Sequence, residues 1–211
     1  MPRSRDSSDR RRVAVVRAGG ESGAAPPGVD PAEFARACLA DSYEVVAELA
    51  GVRSGIAGDD GPTIAGLLWP GAVHWPGRSI LELAGLAAAE HDELVVVAPD
   101  VPDLPDLILA KVFQGLHRSA VCIAPERADD DEPAGCVAVG LRLPWPDWLP
   151  GDLGLDTPVE VVRSAAPDRR ALLLGPPWHR LRRPAAVHRL DPGLEGWEHT
   201  RALLEGRPLR D

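Results

Sequence analysis

Lysine is nearly missing from this chain: Lys111 is the only one, inside a segment with helical character. Its positive charge is therefore almost all guanidinium, which stays protonated at every working pH. Long apolar runs are missing too. None reaches the roughly 18 residues that a bilayer-spanning helix needs, so no membrane partner is expected. The start, "MPRSRDSSDRRR", is basic but has no apolar core behind it, so it does not read as a secretory signal. Residues 1–12 read as a disordered basic tail, either simply solvated or a weak anion-binding arm. Cysteine is sparse: Cys38, Cys122 and Cys136 lie far apart with no C-x-x-C spacing. That excludes a disulfide framework, favours small buried side chains, and suggests a reducing, cytoplasmic setting. Positive charge is in deficit, 23 basic against 32 acidic residues and a net charge of −9, so no DNA or RNA partner is expected.

What is present is an alternation of short apolar runs with helical patterns. "VAVVRA" (13–18) reads as a first strand. "DPAEFARACLADSYEVVAELAG" reads as a helix, with Asp30 as cap, Pro31 in the first turn, Glu33 completing a capping box and Gly51 ending it. Phe34, Leu39, Val45, Val46 and Leu49 form its apolar stripe. "VRSGIAG" and "TIAGLLWPGAVHW" read as short strands, and "SILELAGLAAAEH" as a second helix. "ELVVVAP" is apolar on both faces, as central parallel strands are. "PDLILAKVFQGLH" reads as a third helix, "SAVCIAP" and "CVAVGLRLP" as strands around an acidic loop, and the stretch from Asp191–Pro192 as a capped final helix. The pattern predicts one domain over 13–211: an α/β/α sandwich with a mostly parallel sheet.

In such sheets ligands sit beyond the carboxyl ends of the strands. Asp100 stands at that point, after "ELVVVAP". It reads equally as a functional carboxylate or as a helix cap.

The pieces "PDVPDLP", "AVCIAP" and "VGLRLPWPDWL", with "PGRSILELAGLAAAEHDELVVVAPD", "LDTPVEVV" and "ALLLGPPWHRLRRP", keep a recognisable order. Over about residues 13 to 205 the chain resembles a bacterial group of GT-A-type glycosyltransferase-like proteins. These have a nucleotide-diphospho-sugar transferase fold and are related to phospholactate guanylyltransferases and molybdopterin-nucleotide transferases. The resemblance implies a Rossmann-like domain that binds a nucleoside diphosphate or nucleotide sugar, with phosphates on a basic loop after the first strand. It also implies Mg or Mn beside the central carboxylate, since a leaving nucleoside diphosphate builds negative charge that cations neutralise.

The chain departs from that pattern at the charged positions. The first loop is "RAGGESGAA", without the expected lysine, leaving Arg17 and the amides of Gly19 and Gly20 to meet phosphate. Asp129, Asp130, Asp131 and Glu132 replace a glycine-rich turn and read as a solvated loop. The late Asp-Val-Asp becomes Arg180-Leu181-Arg182, followed by Arg183. Arginine cannot hold a cation, so no metal cofactor is expected, and the resemblance leaves Asp100 as the catalytic candidate. Arg17, Gly19, Gly20, Asp103, Arg180, Arg182 and Arg183 are the nucleotide- and phosphate-binding candidates.

Seven arginines but only Asp168 as opposing acid lie between 163 and 189. Either a guanidinium there pairs with Asp100 in place of a metal, or these arginines only balance the acidic remainder. His179 suits a packing position at the pocket rim, and Trp145 and Trp148 suit loop anchors. Two functions remain open: transfer of a glycosyl or nucleotidyl group from a nucleotide-activated donor, or a catalytically silent paralogue that binds a ligand or a protein.

Overall fold

A computed structural model describes residues 10–19, 25–59, 62–77, 79–127 and 135–207. Gly20 and the acidic run Asp129–Glu132, both singled out above, lie outside the described residues. In chain order the elements are β1 (Arg12–Arg17), α1 (Pro31–Ala47), β2 (Val52–Ala57), α2 (Pro62–Leu67), β3 (Val73–Trp75), α3 (Ile80–Ala87) and β4 (Glu93–Val97). They continue with α4 (Asp106–Leu116), β5 (Val121–Pro125), β6 (Cys136–Arg142), α5 (Val159–Ala165), β7 (Leu172–Leu174), a 3-10 turn over Pro184–Arg189, and α6 (Glu198–Leu204).

The strands form one mixed sheet in the order β3-β2-β1-β4-β6-β5-β7. β6 alone runs antiparallel to its neighbours, so the expected mostly parallel sheet is found. β4 is buried along its whole length, as its unbroken apolar run demands. α1 and α4 pack on the sheet, and the predicted stripe of α1 is buried at Phe34, Leu39, Val45 and Val46. Asp30 Oδ1 accepts from the amides of Ala32 and Glu33, and a complete capping box forms at α3 between Ser79 and Glu82.

Three local readings change. Residues 63–75 are not all extended: Ile64 is buried with Leu67 and Leu68 half-buried, a three-and-four spacing that belongs to helix α2, and only Val73–Trp75 is strand. Asp191 does not cap the last helix. It closes its own turn by accepting from Gly193 N, Gly196 follows with φ +94°, and α6 starts only after Trp197. The supposed tail is tied down from Arg10 onward: β1 begins at Arg12, Arg10 and Arg12 both pair with buried Glu93, and Arg11 pairs with Asp92. No helix among the described residues is long and apolar enough to cross a membrane.

A second, smaller apolar cluster of Phe34, Cys38, Leu181, Ala186, Leu190 and Trp197 fixes the late segment against α1. This cluster holds the candidate site together, because Leu181 sits between the two arginines of interest.

Candidate nucleotide-edge site

Parallel pairing brings the ends of β1 and β4 side by side, with Val16 opposite Val97. Because β6 is antiparallel, its start faces the same edge, with Ala138 opposite Val97. Arg17, Asp100 and the Gly135–Cys136 corner are thus presented on one side of the sheet. A register shift at Ala124/Pro125 lies at this edge, and Glu126, just past the end of β5, keeps its amide bonded to Gly135 O and bridges to Trp178.

The late segment crosses this edge by backbone bonds. Trp178 N donates to Pro125 O, Arg127 N to Trp178 O, and Leu181 N to Asp100 O. The chain is extended here, so alternate side chains share a side. Leu181 enters the small apolar cluster, and Arg180 and Arg182 turn together toward the carboxylates.

Arg180 is buried and nearly all its donors are used. Its Nε and Nη2 reach Asp100 Oδ1 and Oδ2 at 2.7 and 3.1 Å, a two-pronged bond. Its Nη1 bonds Asp156 Oδ1 at 2.8 Å and the carbonyls of Leu155 and Cys136 at 3.3 and 3.4 Å. Arg182 bonds Glu126 through Nε at 2.8 Å and through Nη2 at 2.7 Å, and reaches Asp156 Oδ1 through Nη1 at 2.8 Å. Two guanidiniums therefore meet three carboxylates. Burial opposes each arginine's charge, yet Asp100 holds Arg180 more basic than usual and Glu126 does the same for Arg182. Burial alone would push Asp156 up, but the two guanidiniums overcome it and hold its carboxyl below the usual range. Gly135 lets the strands close in: a Cβ there would lie 2.4 Å from Leu155 O and 2.8 Å from Arg182 Nη2.

A divalent cation does not fit this donor set. Both oxygens of Asp100 are taken by Arg180, both oxygens of Glu126 by Arg182, and the shared Asp156 oxygen lies between two guanidinium charges. A different group has metal-like spacing: Asp41, Glu44 and His199 bring one ligand atom each within 4.8 Å of one another. Asp41, however, already accepts the amides of His199 and Thr200, fastening α6 to α1, and burial lifts its carboxyl to about 6 despite those bonds.

Asp103, a nucleotide- and phosphate-binding candidate from sequence, is turned inward. Its side chain is fully buried, accepting from Trp178 Nε1 at 3.2 Å and Asp191 N at 3.3 Å. His179 Nε2 lies 3.0 Å from Asp103 Oδ1 without hydrogen-bond geometry, and its ring stacks on Trp178 at 5.0 Å. Asp103 is thus a clamp on the late segment. Arg17 is half-buried at the end of β1, Gly19 follows with φ +110°, and Arg183 is exposed. The cysteines are buried and free, with burial pushing Cys122 up to about 11 and Cys136 to about 12, so they are poor nucleophiles.

Glu126 and Asp156 were missed from sequence. Glu126 begins the acidic run and looks like part of a solvated loop, and Asp156 sits in "LDTP" with nothing local to mark it. Only the strand order brings them to the arginines.

No family profile and no curated protein matches the sequence. Solved structures do match in fold. A Desulfovibrio desulfuricans G20 protein assigned to the nucleotide-diphospho-sugar transferases superposes with a TM-score of 0.61 at 17% identity, covering 94% of this chain and 99% of its own. CMP:2-keto-3-deoxy-manno-octonic acid synthetase, solved with CTP, gives 0.53 at 15%, covering 85% and 96%. The 4-diphosphocytidyl-2C-methyl-D-erythritol synthase of Anaerococcus prevotii DSM 20548 gives 0.54 at 14%, covering 82% and 90%. The chain therefore has the α/β fold shared by nucleotide-diphospho-sugar transferases and cytidylyltransferases, carried by a divergent sequence.

Proposed function

We propose that this protein binds the diphosphate of a nucleotide-activated donor at the carboxyl edge of the sheet, with guanidinium charge where the sequence resemblance implies a divalent cation. The observation that carries the reading is the two-pronged Arg180–Asp100 bond. A cation is needed at such an edge because a nucleoside diphosphate bears charge that must be neutralised, most of all when it leaves. Here Arg180 and Arg182 supply it, and Arg17, at the end of β1 on the same sheet edge, is a further candidate for phosphate contact. The CTP held by a structural neighbour supports a nucleotide as the ligand class.

Asp100 orients Arg180 in this reading, and with both oxygens engaged it is neither a metal ligand nor a ready base. That same saturation favours a second reading, a paralogue that keeps the fold for binding and has given up transfer.

Calorimetric titration with nucleoside diphosphates, in EDTA and then in manganese, tests the proposal. Binding of equal strength in both is expected. Binding that requires manganese overturns the metal-free site. Silence across the panel, in wild type and in an Asp156→Ala variant alike, overturns nucleotide binding and leaves the fold to a protein-interaction role.

A further inference from the structure

Asp156 is placed oddly for a structural ion pair. Its single Oδ1 takes one bond from each guanidinium, 2.8 Å from Arg180 Nη1 and 2.8 Å from Arg182 Nη1. Its side chain is 67% exposed, whereas Arg180 beneath it is 7% exposed. The arginines are fixed by other partners, Arg180 by Asp100 and two carbonyls, Arg182 by Glu126. The residue before Asp156 is buried Leu155, and Thr157 Oγ1 after it accepts Gly154 N. The backbone is thus anchored on both sides, and the carboxylate can leave by side-chain rotation alone.

We infer that Asp156 is a built-in stand-in for a ligand phosphate: its Oδ1 occupies the position of a phosphate oxygen, and an anionic ligand enters by displacing it. This rests on the nucleotide-binding reading above and adds how that site is kept closed. Carboxylate and phosphate oxygens satisfy the same guanidinium donors, and a fork set for one accepts the other. With Asp156 seated, three carboxylates face two guanidiniums and the edge repels anions. With Asp156 swung out, Asp100 and Glu126 balance Arg180 and Arg182, the excess negative charge is gone, and the Nη1 donors that Asp156 held are open to a phosphate oxygen. A competitor on the chain lowers apparent affinity by the fraction of time the site is open.

The test is calorimetry on the full chain in EDTA, with cytidine, uridine, guanosine and adenosine diphosphates and inorganic pyrophosphate. Wild type is compared with Asp156→Ala, Asp156→Asn and, as an equal change in net charge at an exposed site, Asp152→Ala. Displacement predicts about tenfold tighter binding in both Asp156 variants and no change in Asp152→Ala. Binding by the Asp156 variants alone also supports it. If wild type binds and the Asp156 variants bind no tighter, displacement is wrong while the nucleotide site stands. An equal gain in Asp152→Ala reduces the effect to net charge and overturns displacement. If no variant binds any probe, the nucleotide site itself falls and displacement goes with it.

Discussion

β4 has an acid at its start, Glu93, and another just past its end, Asp100; both are met by arginines, with different results. Glu93 is fully buried and held by Arg10 and Arg12 from the beginning of the chain. Asp100 is 20% exposed and held by Arg180 from much later, with a further exposed carboxylate, Asp156, laid over the top. In the first cluster the carboxylate is fully buried, and its pairing supports the fold. The second has a removable member and faces the edge where α/β sheets take ligands. Similar ion-pair chemistry at two ends of one strand is therefore not evidence of similar purpose. Whether a ligand could replace one of the partners is what separates them.

That contrast can be broken by substitution. Arg180→Ala should have the largest effect: it strands Asp100 and two carbonyls, for a loss of about 4 kcal/mol in urea unfolding. Replacing both partners, Asp100→Ala with Arg180→Met, should cost clearly less, because Asp100's charge is no longer stranded and Asp156 keeps Arg182. A double variant as unstable as the single would show that packing, not charge, sets the loss. Glu93→Gln should cost about 3 kcal/mol, since Arg10 and Arg12 keep partial access to water, and should leave nucleotide affinity untouched. A change in affinity there would mean the two ends are coupled.

The smallest effect is in acid. Asp156 is held below its ordinary carboxyl value of 3.8, so its contribution to stability is present above that pH and is lost as pH falls through the lower folded value. The melting-temperature gap between wild type and Asp156→Asn should therefore be constant from pH 7 to 5 and close below pH 4. A gap that instead grows in acid would reverse the sign and remove the two arginines as the cause.

Much of this was legible in the chain. The run "VAVVRA" announced a first strand and "ELVVVAP" a central one, and the pairing of Asp100 with an arginine was one of the two readings that Arg180-Leu181-Arg182 offered. The rest depends on distance in sequence. Glu126 reaches Arg182 across 56 residues and Asp156 reaches Arg180 across 24, so no local spacing reports them. Asp103 was a phosphate-binding candidate from its place in "PDVPDLP", and only Trp178, far along the chain, shows that it is held inside. Local turn chemistry also misled at Asp191, where the acid serves its own turn instead of α6.

The bond from Arg180 to Asp100 joins residues 80 apart. During synthesis the sheet's central strand would be complete long before its terminal carboxylate met a counter-charge. Until the late segment is laid across it, the nascent domain carries an open anionic notch. Assembly of this edge is then among the final acts of folding, and a chain cut short before residue 180 would keep most of its strands while never acquiring the charge balance that defines the site.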